Sequence, residues 1–418
     1  MLSSLANIVK ITELRQKLFF TLMMFAVFRM GVHIPVPGVD SAAIEQLFQS
    51  GSLFGLLDLF AGGALSRFSI FAMSITPYIN SSIILQLLTV VVPYLEQLSK
   101  EGPDGRKKLT QITRYGTVVL GFLQALGMAY GLRSAMHNPS FLNIMIVALS
   151  LTAGTVFLMW LGEQITEKGI GNGISLIIFA GVISRLPDGL VMIYEYLRAG
   201  TISILNVILF AVIAAAMMVF VIAIQQGMRK ISVSYAKRVV GRKMYGGHTS
   251  YIPLKVNQAG VIPIIFASSV LMFPTTIGQF VNVEWVKTVT SWFAWGSPLQ
   301  TVLYVLLIIG FTYFYSEISM NIPDMADNMK KYGGFIPGIR PGKPTADHLQ
   351  RIMTRINLAG AIFLAFIAIM PNFVVYLTNI QGVYFGGTAL LIVVGVALDT
   401  MKQIESLVLM RHYQGFMK

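Results

Sequence analysis

The stretch RPGKPT at 340–345 is the nearest approach in this sequence to a phosphate-binding loop. Such a loop needs a glycine five residues before the glycine of its Gly-Lys pair, and a serine or threonine directly after the lysine. Here Pro337 stands at the first position and Pro344 at the second. A nucleotide-hydrolysing site is therefore not predicted, and any energy for the protein's work has to come from elsewhere.

Metal-dependent chemistry has equally little support in the sequence. The chain contains no cysteine, so neither a disulfide framework nor a thiolate metal site can form. The five histidines lie at the ends of apolar runs or in connections, without the paired spacing of zinc ligands. They are His33, His137, His248, His348 and His412. We expect no catalytic residues, no metal and no cofactor.

The elements of the chain are those of a membrane protein. Hydrophobic residues make up 55% of the sequence and charged residues 12%, against about 25% charged residues in a typical soluble domain. Apolar runs long enough to cross a bilayer recur along the whole chain, and they must be helical because lipid cannot pair backbone groups. We therefore predict an all-α polytopic fold. The ten predicted spans are 18–34, 69–92, 115–132, 143–161, 173–187, 202–224, 260–281, 299–316, 356–377 and 383–399.

The distribution of positive charge gives an orientation for these spans. Most of the 31 lysine and arginine residues lie before the first span, in the connections from even to odd spans, or after the last. Positive residues concentrate on the cytoplasmic side of membrane proteins. Both termini are therefore predicted to be cytoplasmic. The opposite side holds only Arg67, Arg133, Arg185, Arg198 and Lys287.

Few ionisable side chains lie within the spans, which bears on an ion-coupled transport mechanism. Arg29 lies inside the first span, and Glu163, Arg185, Asp188 and Asp399 lie at span ends, where several could reach the interface. Transporters usually keep such groups at mid-membrane. The pattern weakens a secondary transporter for a small solute, which stays open as the alternative function.

The segment 53–67, LFGLLDLFAGGALSR, is too short to span a bilayer. Its apolar residues suit a helix within protein or at an interface, and Gly62 and Gly63 weaken that helix. The pattern alone leaves two possibilities about equally open. One is an amphipathic helix on the outer membrane surface, and the other is a re-entrant half-helix.

Two connections, 229–258 and 320–354, are unusually long. In the first, Ile231, Val233 and Tyr235 alternate with serines, and Gly246-Gly247 supplies a turn, which predicts a projecting hairpin. Its basic residues suit an acidic protein surface, ribosomal RNA or anionic headgroups. The ordinary excess of positive charge in cytoplasmic loops explains the same residues equally well, although it does not require such length.

Several long strings of this sequence resemble the SecY family of protein-conducting channels. They occur in family order from the first span to the last, which makes the resemblance specific. The strings are AGGALSRFS at 61–69, IFAMSITPYINSSIILQLLTVV at 70–91, EGPDGRKKLTQITRYGT at 101–117, FLMWLGEQITEKGIGNGIS at 157–175, PLKVNQAGVIPIIFASS at 253–269, ADNMKKYGGFIPGIRPGKPT at 326–345, MTRINLAGA at 353–361 and YFGGTALLIVV at 384–394.

The resemblance implies two pseudo-symmetric halves of five helices, 1–190 and 191–418, around a central hourglass pore. A re-entrant plug half-helix at about 53–67 would close the pore on its outer side. The resemblance assigns to the plug Leu57, Phe60, Ala61, Gly62, Gly63, Ala64 and Leu65. It also places a ring of aliphatic side chains at the constriction, formed by Ile75, Ile79, Ile174, Ile178, Ile265 and Ile392.

The resemblance further implies a lateral gate between spans two and three on one side and spans seven and eight on the other. Asn80, Ile83 and Gln86 on span two are the expected gate residues, and a packed structural amide explains Asn80 and Gln86 equally well. Secretory polypeptides would cross the bacterial plasma membrane through the pore, and membrane-protein segments would leave through the gate. No enzymatic activity is implied for the chain itself.

The implied partners are the subunits SecE and probably SecG, the SecA motor ATPase, the ribosome, signal peptides, unfolded secretory chains and membrane lipids. SecA or the ribosome would supply the energy. The two long loops would receive them. The residues expected to do so are Lys237, Arg238, Arg242 and Arg340.

Overall fold

The fold is known from a computed structural model that describes residues 11–40, 44, 58, 61–235, 238–240, 243–245, 249–280, 292, 297–378, 380 and 387–415. Long helices make up most of it, and a small sheet lies in the two long connections. The helices are α1 Thr12–Val32, α2 Thr76–Val91, α3 Pro93–Lys100, α4 Pro103–Gly131, α5 Phe141–Lys168, α6 Gly173–Ser184, α7 Leu186–Arg198, α8 Ile204–Gln226, α9 Ile262–Phe280, α10 Pro298–Ser319, α11 Ile322–Lys331, α12 Lys343–Thr378 and α13 Gly387–Gly415.

Each predicted span coincides with a helix, and the membrane-protein fold class is confirmed. In the described part of the chain, six helical segments are both long and apolar enough to cross a bilayer. A seventh is added if α2 and α3, which are bent by 101° at their junction, are counted together. The number ten remains a prediction. The second span begins later than predicted, because residues 69–75 form turns and a bridge in place of helix.

Local sequence explains several helix boundaries. Val92 is extended because it precedes Pro93, and this ends α2 and starts α3 in a new direction. The side chain of Asn172 caps α6 by accepting a hydrogen bond of 3.2 Å from the amide of Ser175. Ser297 caps α10 in the same way, with 3.1 Å to the amide of Gln300. These caps fix where the two helices begin.

Two apolar cores fill the helical body. The first draws on α1, α2, α4, α5 and α6, and the second on α8, α9, α10 and α12. Helix α13 contributes to both, with Ile392 and Val396 in the first core and Leu391 and Val394 in the second. The last helix therefore lies where the two sets of helices meet.

The two long connections form one unit, which we call the loop domain (described residues of 228–255 and 320–342). Strand β1 Met228–Tyr235 pairs antiparallel with β4 Thr249–Lys255, placing Ile231 opposite Ile252. The predicted hairpin is confirmed, although its Gly246-Gly247 turn lies outside the described residues. A shorter hairpin joins β2 Arg238–Val240 to β3 Lys243–Tyr245.

The second connection joins this sheet through β5 Gly334–Phe335, which gives the strand order β4-β1-β5. The sheet has its own apolar core beneath it, in which Ile231, Val233 and Leu254 meet residues of α11 and α12. The loop domain is therefore a packed structure with a defined position.

Candidate functional site

Five of the six predicted ring isoleucines lie in or against one apolar core. Ile75 is 1% exposed at the start of α2, Ile178 is 8% exposed on α6, and Ile392 is 3% exposed on α13. Ile79 and Ile174, each one helical turn from a buried member, are half-buried and pack against the same core. Residues more than 300 positions apart are thus brought into one cluster by three helices.

The sixth predicted ring residue, Ile265, lies apart from this cluster. It is half-buried on α9, while its neighbours Ile264 and Ala267 belong to the second core. Its carbonyl oxygen accepts a hydrogen bond of 2.8 Å from the hydroxyl of Ser268. None of the six isoleucines is exposed on the surface of the helical body.

The described residues of the predicted plug lie directly against the first core. Ala61, Ala64 and Leu65 are at most 3% exposed and are members of it. Gly62 approaches α6 so closely that a Cβ there would lie 2.8 Å from the Cα of Gly181. The predicted plug residues Leu57 and Phe60 lie outside the described residues.

The predicted plug, 53–67, which is described at residues 58 and 61–67 and is called the plug below, is not helical as far as Arg67, which corrects the predicted extent of the half-helix. Asp58 and Ala61 are helical, and the chain continues from Gly62 to Phe68 as turns. Gly62 and Gly63 have φ values of 65° and 87°, which a right-handed helix does not allow. The two glycines therefore end the helix and turn the chain.

Past the plug, the chain is fixed between α1 and α5. The amide of Val36 donates to the carbonyl of Phe68 at 3.0 Å, and the amide of Ile70 donates to the carbonyl of Ile34 at 3.0 Å. The ring of Phe71 stacks between Phe28 and Phe157, with centroids 6.2 Å and 5.9 Å away. Residues 68–71 therefore form a fixed anchor at the end of the plug.

Polar contacts join the plug to the helical body through two arginines. The Arg29 guanidinium on α1 donates 2.9 Å hydrogen bonds to the Gly62 carbonyl and the Ser184 hydroxyl. Arg185, at the end of α6, forms an ion pair with Asp58 and donates to the Ser66 hydroxyl at 2.8 Å. The Asp58 side chain is 5% exposed and that of Arg185 27%.

Asp58 also organises the plug internally. Its Oδ1 accepts hydrogen bonds from the amides of Leu65 at 2.9 Å and Ser66 at 2.8 Å. Its backbone carbonyl accepts from the amide of Gly63 at 3.1 Å. One carboxylate therefore serves two purposes, since Oδ1 closes the plug turn and Oδ2 faces Arg185.

Sequence reasoning missed these roles of Arg29, Asp58 and Arg185. Arg29 and Arg185 were noted only as ionisable residues in or at the end of a span, and Asp58 was counted only as part of an apolar segment. The available signal was three charged side chains in or beside apolar runs, where an unpaired charge is costly. The ion pair between Asp58 and Arg185 joins residues 127 positions apart, and no spacing in the sequence indicates it.

The three predicted gate residues share one side of α2. Asn80, Ile83 and Gln86 recur every third residue and are all half-buried. Helix α2 packs on α4, and α9 contacts both of them. The helices expected on the two sides of a lateral gate are therefore in contact, and α10 packs on α9 behind them.

The predicted partner-binding residues lie on the loop domain where they are described. Arg340 is exposed between β5 and α12, and its carbonyl oxygen accepts a hydrogen bond of 2.8 Å from the Thr345 hydroxyl. Arg238 begins β2. Lys237 and Arg242 lie outside the described residues. Pairing of β5 with β1 brings the two basic connections together.

Comparison with known proteins places the chain among protein translocases. The SecY family model matches residues 69–401. The protein translocase subunit SecY of Halalkalibacterium halodurans is 50% identical over 433 residues, and the match covers 100% of both chains.

Two solved structures are similar in fold. A SecY structure, described with a plug domain that stabilises the closed translocation channel and maintains a membrane seal, superposes with a TM-score of 0.67. It is 18% identical, and the match covers 94% of this chain and 92% of that one. Canine Sec61 in a ribosome-channel complex gives a TM-score of 0.64 at 18% identity, with the same coverage.

Proposed function

The chain belongs to the SecY family, and from this premise we propose that it is the channel through which unfolded secretory polypeptides cross the bacterial plasma membrane. One observation carries the proposal. Isoleucines from α2, α6 and α13 share a buried apolar core with Ala61, Ala64 and Leu65 of the plug. A constriction and its closure are thus built from the same apolar contacts.

An apolar constriction suits the transport of many different sequences. Aliphatic side chains make no directional bonds, so no passing side chain is strongly held or rejected. When no polypeptide is present, a narrow apolar passage sheds its water, and ions then cannot cross without losing their hydration. The same isoleucines would therefore conduct polypeptides and resist ions.

Membrane-protein segments would leave sideways between α2 and α4 on one side and α9 and α10 on the other. Leucine or isoleucine favours the bilayer centre by roughly 0.3–0.6 kcal/mol, while a charged residue opposes it by roughly 2.5–3.5 kcal/mol. The hydrophobicity of the passing segment would therefore determine whether it enters the bilayer or continues through the pore. Asn80, Ile83 and Gln86 would line this gate, since amide hydrogen bonds between helices part at a cost of about 1 kcal/mol.

The loop domain would receive the motor or the ribosome on the cytoplasmic side, where both termini also lie. The exposed Arg340 and the basic hairpin beside it offer positive charge on a packed surface. SecE and SecG would complete the complex in the membrane, and SecA or the ribosome would supply the energy. The family assignment decides against the secondary transporter.

Site-specific crosslinking tests the channel directly. The chain has no native cysteine, so single cysteines at Ile79, Ile178, Ile265 and Ile392 can be crosslinked without background to a precursor arrested in transit. We expect crosslinks at Ile79, Ile178 and Ile392. Ile265 tests whether α9 joins the ring when a polypeptide is present.

A cysteine at Val212, which is 60% exposed on the outside of α8, serves as the matched control and should not crosslink. Equal crosslinking at Val212 and at the ring positions, or none at any ring position, would overturn the proposed path.

A further inference from the structure

We propose that Arg29 and Arg185 form a latch that ties the plug to α1 and to the end of helix α6, so that a movement of α6 which widens the ring also loosens the plug. This inference rests on the proposed channel function. The two arginines would couple the constriction to the plug that closes it. Hydrogen bonds within the plug and hydrogen bonds between the plug and the helical body together support this coupling.

Several described hydrogen bonds join residues of the plug to one another. Asp58 Oδ1 accepts from the amides of Leu65 and Ser66, and the Ser66 hydroxyl donates to the Gly63 carbonyl at 3.2 Å. These described contacts involve no residue of the helical body, and the Ala64 carbonyl also accepts a hydrogen bond of 2.8 Å from the amide of Ser69. The plug turn can therefore move as a preformed unit without losing its internal hydrogen bonds.

Most of the described polar bonds from the plug to the body are made by the two arginines. The Ser184 hydroxyl also lies 3.5 Å from the Gly62 carbonyl, and Arg67, at the hinge end of the plug, contacts His33. Arg29 holds the Gly62 carbonyl, and Arg185 holds Asp58 and the Ser66 hydroxyl. Ser184 connects Arg29 to α6, because its hydroxyl accepts a hydrogen bond from Arg29 and donates one to the Gly181 carbonyl at 2.7 Å. The remaining plug contacts with the core are apolar and have no preferred direction.

Helix α6 carries both the ring and the latch. Ile174 and Ile178 lie in its first half, and Ser184 ends it directly before Arg185. Seven residues separate Ile178 from Arg185, a distance of about 10 Å along a helix. A rigid shift of α6 away from the ring centre would carry Ser184 and Arg185 with it and separate Arg185 from Asp58.

The other end of the plug provides a hinge. Phe68 is held by Val36 through its backbone carbonyl and has a positive φ of 42°, a strained value for a bulky residue. Residues beyond it are fixed between α1 and α5. The plug would consequently swing about Arg67 and Phe68 once the arginines release it.

Accessibility of a plug cysteine to a water-soluble maleimide in membrane vesicles tests the latch. Ala64 is fully buried, so Ala64→Cys should react slowly in the resting channel. Asp58→Asn keeps an acceptor for the amides of Leu65 and Ser66 but removes the ion pair, and Arg185→Gln removes the cation. We expect about a tenfold faster reaction in either variant, since the ion pair that holds the plug to the end of α6 is lost.

The double variant Asp58→Asn/Arg185→Gln should react no faster than the single variants, because both act through one ion pair. Asp188→Asn is the matched control. Asp188 lies 3.1 Å from the same guanidinium but is 61% exposed, and its loss should leave the rate unchanged. Arg185→Lys, which keeps the charge, should recover most of the slow reaction.

Two further measurements distinguish a failure of the latch proposal from unfolding of the variants and from a failure of the proposed channel function. Ala148→Cys on α5, equally buried, should stay unreactive in every variant, which excludes general unfolding. Crosslinking of an arrested precursor to Ile79→Cys in the same vesicles tests the channel function independently. Unchanged reaction of Ala64→Cys in Asp58→Asn and Arg185→Gln, or fully additive effects in the double variant, would overturn the latch while leaving the channel intact.

Discussion

The helical body and the loop domain hold their proposed functional residues by opposite means. In the body, Ile75, Ile178 and Ile392 are nearly inaccessible and are positioned by packing alone. On the loop domain, Arg340 is exposed, and the chain beside it is positioned by backbone hydrogen bonds of a three-stranded sheet. Shape defines the first site, and charge on a fixed backbone defines the second.

This difference matches what each region is proposed to recognise. A passage for any unfolded sequence gains from side chains that make no specific bonds. A docking surface for one partner gains from charge, which steers the partner and sets its orientation. Substitutions that change volume or polarity should therefore damage the body, and substitutions that change charge should damage the loop domain.

The largest effect is expected where helices and plug anchor are in closest contact. A Cβ added at Gly154 on α5 would lie 1.9 Å from the carbonyl oxygen of Ile70. That backbone cannot withdraw easily, because the Ile70 amide is bonded to Ile34. Gly154→Ala should lower the free energy of unfolding by about 3 kcal/mol, measured by thermal unfolding in detergent.

Gly310 on α10 is the matched control, since no atom lies within 4 Å of a Cβ added there. Gly310→Ala should leave stability unchanged or raise it by roughly 0.5–1 kcal/mol. Equal melting temperatures for the two variants would show that the α5 contact with the anchor is looser than the structure gives it.

A smaller change, confined to conductance, is expected from a polar side chain in the ring. Ile178→Asn replaces the aliphatic side chain with a smaller amide that offers hydrogen bonds to water, so the closed passage should stay hydrated more often. Ion conductance of the resting channel in planar bilayers should rise about tenfold, a factor that corresponds to roughly 1.4 kcal/mol. Ile178→Leu keeps the apolar surface and should conduct as the unmodified channel does. A similar rise in ion conductance in Ile178→Leu would show that the barrier to ions depends on the shape of the side chain and not on its polarity.

Periodicity and length predicted much of this architecture, because a bilayer imposes both. The helices and the β1–β4 hairpin follow directly from apolar runs and from the alternation at Ile231, Val233 and Tyr235. Residues 69–75 were misassigned, since IFAMSI is as apolar as a span. Their turns come from contacts with α1 and α5, and distant contacts leave no period in a sequence.

Other features could not be predicted from the sequence for similar reasons. Strand β5 has only two residues, too few for a strand pattern, yet it joins the two basic connections. The cluster of five isoleucines was expected only from family resemblance, since each isoleucine alone looks like any core residue. The pairing of Asp58 with Arg185 depends on where α6 ends relative to the plug, which only the folded chain determines.

The smallest expected effect is a partial loss of export on reversing one charge of the loop domain. Arg340→Glu leaves the apolar core of this domain untouched, because its side chain is exposed and the Thr345 hydroxyl bonds only its backbone. Motor-driven import of a precursor into reconstituted vesicles should fall severalfold, with the loss greatest at low salt because screening weakens charge steering. Insertion of the variant itself into the membrane should be normal.

Arg198→Glu controls for the change in net charge. Arg198 is exposed and lies on the predicted opposite side of the membrane, so vesicles with this variant should import the precursor normally. Unchanged import by Arg340→Glu at every salt concentration would remove Arg340 from the docking surface and shift the search to the β2–β3 hairpin.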